Sequence, residues 1–317
     1  VVNQILLVGL VQLAAPAAAI GWLLVGRPPS RAAWVGRVLL GAGIIGTIAI
    51  AGLWLLLPWA LVYLYVALLI IGAWVAWRRS AARAAPAPRS LAAAGLLLTG
   101  LGAALALALA AYGVAGRRMP QSAAVELSFP LHGGSYYVAN GGSNVLINQH
   151  LHTLHGGTGA FRGQSYGVDI VQVSALGLRA NGVLPADPAR YRIFGAPVYA
   201  PCAGRVTRVV DQFDDLRVPQ MDRRHPAGNY ILLRCGDYDV LLAHLQRASI
   251  SVIPGDAVQP GTRALARVGN SGNSSEPHLH IHAQQPADGD AFMAAAPVPI
   301  LFDGNYLVRN QRVRPRP

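Results

Sequence analysis

Three apolar runs in the first 118 residues constrain this chain more than any other feature. Residues 3–26, 38–77 and 91–116 contain no charged side chain. A membrane-spanning helix needs about 20 apolar residues. The middle run is long enough for two, with Pro58 as the natural turn. Four spans are therefore expected, at about 4–25, 38–57, 59–77 and 91–115, making residues 1–118 a membrane anchor. Composition agrees: 53% of residues are hydrophobic and 13% charged, whereas soluble domains carry about 25% charged residues. Disorder is excluded, because disordered chains are poor in apolar residues.

The charge distribution adds a topology. All 26 basic residues are Arg, and formal net charge is +12. Nine Arg and no acid fall in residues 1–118, and 17 Arg with 14 acids fall beyond, so +9 and +3 make up the total. A nucleic-acid binder would cluster Arg on a folded surface. Here the excess flanks apolar runs, and no nucleic-acid partner is expected. Arg27, Arg31, Arg37, Arg78, Arg79, Arg83 and Arg89 share one side; Arg117 and Arg118 lie on the other. The richer side belongs in the cytoplasm, which puts everything after Arg118 outside it. Trp54, Trp59, Trp74 and Trp77 fit interfacial anchors. The first run lacks the basic start of a cleaved signal peptide. The spans hold no acid, His or Lys, so transport is not expected. Gly95, Gly100 and Gly102 suggest a helix-packing face on the fourth span.

From Met119 the composition becomes polar and rich in turns. Short β-type runs at 197–200, 205–210, 230–233, 240–244, 264–268 and 278–283 are separated by Gly, Pro, Asn and Asp. This pattern predicts a mainly-β domain, a sandwich or barrel, over 161–290. It would be preceded by a linker or covering segment over 119–160 and followed by a tail over 291–317. Cys202 and Cys235 both lie in the exported half, each at a strand end. They form either a disulfide or two buried thiols.

All nine His lie beyond the last span. His278, His280 and His282 alternate, so on a strand they would project together. Burying three imidazoles unpaired is costly, and His is the commonest metal ligand. Asp169 lies within an apolar run and needs a partner. Two His and one Asp would suit Zn²⁺ with a position left for water. His244, within Leu241-Leu242-Ala243-His244-Leu245, is a candidate to move a proton or stabilise an oxyanion.

Three segments now carry a resemblance. Gly195-Ala196-Pro197-Val198-Tyr199-Ala200 with Gly204-Arg205-Val206 is the first. Gly228-Asn229-Tyr230 through Ala243-His244-Leu245 to Gly255-Asp256-Ala257-Val258 is the second. Gly269-Asn270-Ser271-Gly272 with Pro277-His278-Leu279-His280 is the third. In order and spacing, over about residues 160–285, they resemble the lysostaphin-type zinc endopeptidases of peptidoglycan. The resemblance implies a lysostaphin-like duplicated hybrid motif of antiparallel sheets with an open groove. It implies zinc held by Asp169 and His280, with His244 and His278 catalytic. It also implies a bacterial cytoplasmic membrane location with the β domain outside, and a peptidoglycan peptide as substrate.

One position departs from the pattern. The family's H-x-x-x-D His would fall at Ser165, and a Ser hydroxyl is a poor zinc ligand. Either a nearby His substitutes (His150 first, then His152 and His155), or the metal is weakly held, or it is absent. The last would make the chain a noncatalytic relative that binds peptidoglycan or regulates a cell-wall hydrolase or divisome-type partner. The insertions at 174–192 and 211–225 also depart from compact relatives. The second is expected to be a solvated charged turn, with His225 exposed.

Overall fold

The computed structural model describes residues 2–80, 89–155, 159–287, 289 and 292–315. Arg83 and residues 156–158 lie outside these, as do the side chains of Arg89 and His155. The chain divides into two compact units, one helical over Val2–Ala115 and one mainly β from Gly116.

The helical unit holds α1 (Val2–Val25), α2 (Arg31–Ala51), α3 (Leu61–Ser80) and α4 (Arg89–Ala115). All four are long and apolar enough to cross a membrane. The second helix differs from the expected 38–57. Ser30 caps its start by accepting from Ala33 N, so Arg31 and Arg37 lie within the helix. Its end is polar although the local sequence is apolar. Trp54 Nε1–H donates to Ile48 O and Ala49 O, and Gln12 Oε1 accepts from Leu53 N. Last-turn carbonyls satisfied in this way end a helix, and apolarity does not record it. Pro16 within α1 cannot donate to the carbonyl of Gln12. The Tyr65 hydroxyl of α3 donates to it at 3.1 Å.

The packing face expected on the fourth span also differs. Gly95 and Gly100 face open space, and only Gly102 of the three meets a neighbouring helix, with Leu40 of α2 at 3.5 Å from a β-carbon built there. The close approach is at Gly43 of α2, where a β-carbon would lie 2.7 Å from Ala106 Cβ of α4. Thr47 Oγ1–H donates to Ala106 O at 3.0 Å beside it.

The β unit contains β1 (Val125–Leu127), β2 (Ser135–Asn140), β3 (Val168–Val173), β4 (Pro197–Tyr199), β5 (Gly204–Val210), β6 (Asn229–Cys235) and β7 (Tyr238–Leu245). It continues with β8 (Ala257–Val258), β9 (Ala264–Arg267), β10 (Leu279–Gln284), β11 (Pro297–Val298), β12 (Ile300–Phe302), β13 (Asn305–Tyr306) and β14 (Arg312–Val313). Among the described residues one nine-stranded sheet runs β14-β2-β3-β10-β7-β6-β5-β8, with β11 also on β10. Its paired strands are antiparallel. Two small sheets, β1-β12-β13 and β4-β9, complete the unit. The main core joins Ile170, Ile231, Leu242, Leu279 and Ile281 to Leu127, Val198, Leu265 and Phe302. One face of the large sheet is thus buried against the small ones.

Two segments expected to lie outside the β domain belong to it. Residues 119–160 supply β1 and β2, and 291–317 supply β11 to β14. The 211–225 loop is a clasp rather than a solvated turn. Asp211 accepts from Ala248 N and Ile250 N, and Asp215 from Arg247 N and Asn270 N. Cys202 and Cys235 form a disulfide with a Cα separation of 5.9 Å.

Candidate metal centre

The site is a row of side chains across four neighbouring strands. Asn140 of β2 stands opposite Asp169 of β3, Asp169 opposite His280 of β10, and His280 opposite Ala243 of β7. Residues paired in this way have neighbouring β-carbons on one face. Alternation selects the face: Leu279, Ile281 and Ala283 enter the main core, so His280, His282 and Gln284 project from the other side.

Two bulges complete the row. Register shifts between Val138 and Asn140 in β2, so Val138 enters the core while Asn140 meets Asp169. A second shift lies where Asn229 and Tyr230 pair with Leu245 and Ala243. His244, between them, has φ +61°. Simple alternation would send His244 into the core. The bulge sends Leu245 there instead and turns the imidazole to the site face. A non-glycine residue in the left-handed region is uncommon and costs energy, and here it aims a buried His.

His278 lies just before β10. Its Nδ1 faces Glu276 O at 2.8 Å, with Ser274 Oγ at 3.2 Å. Nδ1 of His244 faces Ser271 O at 2.9 Å. A ring nitrogen facing a carbonyl must donate, so both rings carry hydrogen on Nδ1 and leave Nε2 bare. The two ring centres are 4.7 Å apart.

His150 arrives from a 3-10 turn, Gln149–Leu151, that runs into the short helix α5 (His152–His155). Ile147 and Leu151 anchor it by burial. Asn148 caps the turn by accepting from His150 N, and donates to Gly142 O and Gly167 O. Ser165 does not face the row. It is fully buried, donates to Arg162 O at 2.7 Å and contacts Thr153 Oγ1 at 2.9 Å. Thr153 in turn donates to His150 O. The position where a ligand His was expected therefore helps hold the turn that presents His150.

The nitrogens converge on one oxygen. Asp169 Oδ1 lies 2.9 Å from His280 Nδ1, 3.0 Å from His150 Nε2 and 3.6 Å from His278 Nε2. Asn140 Nδ2 donates to Oδ2 at 2.8 Å, and Asn140 Oδ1 accepts from buried Arg309. Burial opposes ionisation of Asp169. The neighbouring His150 and then His278 outweigh it, so the carboxyl lies well below its usual range. Burial, then the neighbouring His278 and His280, hold His244 well below the ordinary imidazole value. Burial pushes His280 down to about 4, against the pull of Asp169.

His150, Asp169 and His280 each offer one ligand atom, all within 4.8 Å of one another. Two imidazole nitrogens and a carboxylate oxygen suit zinc. His150 Nε2 tests the fit. Despite its 3.0 Å approach to Asp169 it lacks hydrogen-bond geometry, and among the described residues it is buried without a hydrogen-bond partner. Such atoms are rare in folded proteins, and a cation between ring and carboxylate satisfies this one. A cavity of about 260 Å³ opens over the row, lined also by Gln149, Gln164, Leu241, Asn273, Ser275 and Met293.

The other histidines lie apart. His152 is exposed. His225 is half exposed, with Asp222 at 2.7 Å. His132 stacks on Tyr199. His282 sits behind His280, away from the cavity. Asn140, Asn148, Thr153 and Arg309 carry no sequence signal; only the strand register and the turn reveal them.

Residues 190–292 match the model of Peptidase family M23. That stretch contains His244, His278 and His280 and stops short of His150 and Asp169. The catalytic domain of the antimicrobial peptidase lysostaphin from Staphylococcus simulans is 22% identical over 42% of this chain and 74% of that one, with a TM-score of 0.27. The M23 metalloprotease pseudoalterin from the deep sea is 21% identical over 51% of this chain and 72% of that one, TM-score 0.30. A solution structure of lysostaphin is 22% identical over 42% of this chain but only 40% of its own, TM-score 0.26. No curated protein matches the chain. Beyond its four apolar helices this chain carries a Peptidase family M23 domain at residues 190–292.

Proposed function

We propose that this chain is a membrane-anchored, zinc-dependent endopeptidase that hydrolyses peptide bonds in peptidoglycan. The convergence of His150, His278 and His280 nitrogens on Asp169 Oδ1, beneath a cavity that His244 also lines, carries the reading. The family match supports the reaction class.

His150, Asp169 and His280 would hold zinc, which supplies Lewis acidity toward a water and a carbonyl oxygen when bound. Asn140 and Arg309 keep Asp169 turned toward the ligands. His278, with Nε2 bare and facing the row, accepts a proton from the attacking water and returns it to the leaving amine. His244, neutral near pH 7, stands beside it and shares that proton or steadies the oxyanion. Gln149, Gln164 and Asn273 offer amides to a peptide backbone. The four helices would hold the domain at the outer face of a bacterial cytoplasmic membrane, a reading that the Arg distribution supports.

The test uses the full chain purified in detergent. Near-stoichiometric zinc and release of soluble peptide from purified peptidoglycan are expected, both lost in His280→Ala. Zinc without hydrolysis would favour a noncatalytic wall-binding relative. No zinc after reconstitution would overturn the reading.

A further inference from the structure

Behind His280 runs a buried chain of polar groups that the proposed chemistry does not use. His280, His282 and Gln284 alternate along β10 and project from one face, 3%, 0% and 0% exposed. His280 Nε2 lies 2.9 Å from His282 Nδ1, His282 Nε2 lies 3.3 Å from Gln284 Oε1, and Gln284 Nε2 lies 2.7 Å from Phe292 O. Gly163 packs so tightly on the Gln284 amide that no β-carbon fits there.

The far end of this chain is a backbone carbonyl, which can only accept. Gln284 must therefore turn its NH₂ to Phe292 O and its oxygen to His282. That oxygen requires hydrogen on His282 Nε2, which leaves His282 Nδ1 as an acceptor. The acceptor in turn requires hydrogen on His280 Nε2. His280 Nδ1 is then a bare lone pair facing the Asp169 carboxylate at 2.9 Å. Two lone pairs at that distance repel unless a cation lies between them.

We propose that His282 and Gln284 are positioning residues that lock His280 in the Nε2–H tautomer, so that Nδ1 is presented, without a proton, as a zinc ligand. The inference rests on the zinc reading above and extends it to residues that touch neither metal nor substrate. The order of the relay is set by Phe292 O and passes along β10 to be read out at Asp169. Outer partners that fix a ligand imidazole in this way raise metal affinity.

The test measures zinc affinity of the full chain in detergent by competition with a chromogenic chelator. It is paired with ¹⁵N shifts of labelled His, assigned by single substitutions. His282→Leu removes the acceptor and should weaken zinc binding by about 10–100-fold, while His282→Gln, whose side-chain oxygen can accept, should recover most of that loss. If His282→Leu does not fold, Gln284→Met interrupts the relay one link further out and should weaken binding by about tenfold. In the wild type, His280 should carry hydrogen on Nε2 with or without zinc. A folded His282→Leu that binds zinc as the wild type does would overturn the inference and leave the proposed function standing. A wild type that binds no zinc would overturn the proposed function, and the ¹⁵N shifts would still judge the relay. His280 with hydrogen on Nδ1 and a bare Nε2 would end it.

Discussion

Gly167 offers a sharp test of the site, because a single methyl group there reports on the His280 ring. Gly167 has φ −58° and ψ 151°, a conformation open to any residue, so Gly167→Ala carries no backbone strain. The cost is contact. The new β-carbon would lie 2.6 Å from His280 Cε1 and 2.8 Å from Gln164 O. Carbon atoms rest at about 3.5 Å or more, so the ring must move by about 1 Å. Overpacking of this kind costs about 1–3 kcal/mol, and a 1 Å misplacement costs about 100-fold in turnover. Urea unfolding and zinc titration of wild type, Gly167→Ala, His280→Ala and the double variant resolve the cause. With the ring removed, Gly167→Ala should lose most of its cost, keeping only the part due to Gln164. A coupling of about 0.5–3 kcal/mol is therefore expected between the two positions. A folded Gly167→Ala with unchanged stability and zinc affinity, or a double variant in which the two costs simply add, would refute the geometry of the row.

Zinc affinity should fall by at least about 100-fold in His150→Ala, where a ligand is lost outright, and stay unchanged in exposed His152→Ala; equal losses in a chelator competition would reject His150. Ser165→His, which places the family's usual residue, should lower thermal stability by about 1–3 kcal/mol without raising zinc affinity, because position 165 is fully buried and its hydroxyl holds Arg162 and Thr153. Chelator-treated protein should lose stability as pH falls below about 6.5. His244, His280 and His282 are held below the 6.5 of an unfolded imidazole, so the unfolded chain takes up protons first, and three protons approach a slope of ~4 kcal/mol per pH unit. A flat urea midpoint between pH 5 and 7 contradicts that. Replacing Cys202 and Cys235 by Ser opens a closure of 33 residues and should cost about 3–4 kcal/mol; an unchanged melting temperature would show that the bridge constrains nothing.

What could be read in the sequence follows from the range over which each cause acts. The strands at 197–200, 205–210 and 240–244 were legible because short β-type runs bounded by turn residues are a local signal. The end of α2 was not. Its apolar sequence runs on, while the carbonyls that stop it are taken by Trp54 and the next amide by Gln12 from another helix. Asp169 and His244 stood out as polar residues inside apolar runs, and His278 and His280 by their alternation with His282. The aim of His244 did not, because the pattern of β7 assigns it to the core and only the bulge against β6 reverses that. Asn140 depends on a bulge of the same kind in a segment with no strong strand signal.

In the proposed centre His150 would be a ligand delivered from a turn outside the strand that carries Asp169. A ring delivered from a separate turn must be ordered against its own chain entropy, about 1–2 kcal/mol per residue fixed. The turn meets that cost through contacts with the segment that a His at position 165 would have belonged to. Asn148 holds Gly167 O, and Thr153 meets Ser165. Both clamps therefore tie His150 to the stretch that leads straight into Asp169. A ligand so tied moves with Asp169 when the strand moves, which a ring on a free loop would not. The same clamps make Ser165 a poor place to restore His, because the imidazole would displace the hydroxyl that steadies its own replacement. In the proposed centre the Ser is thus part of the solution to the missing ligand, and the two changes are expected to be coupled.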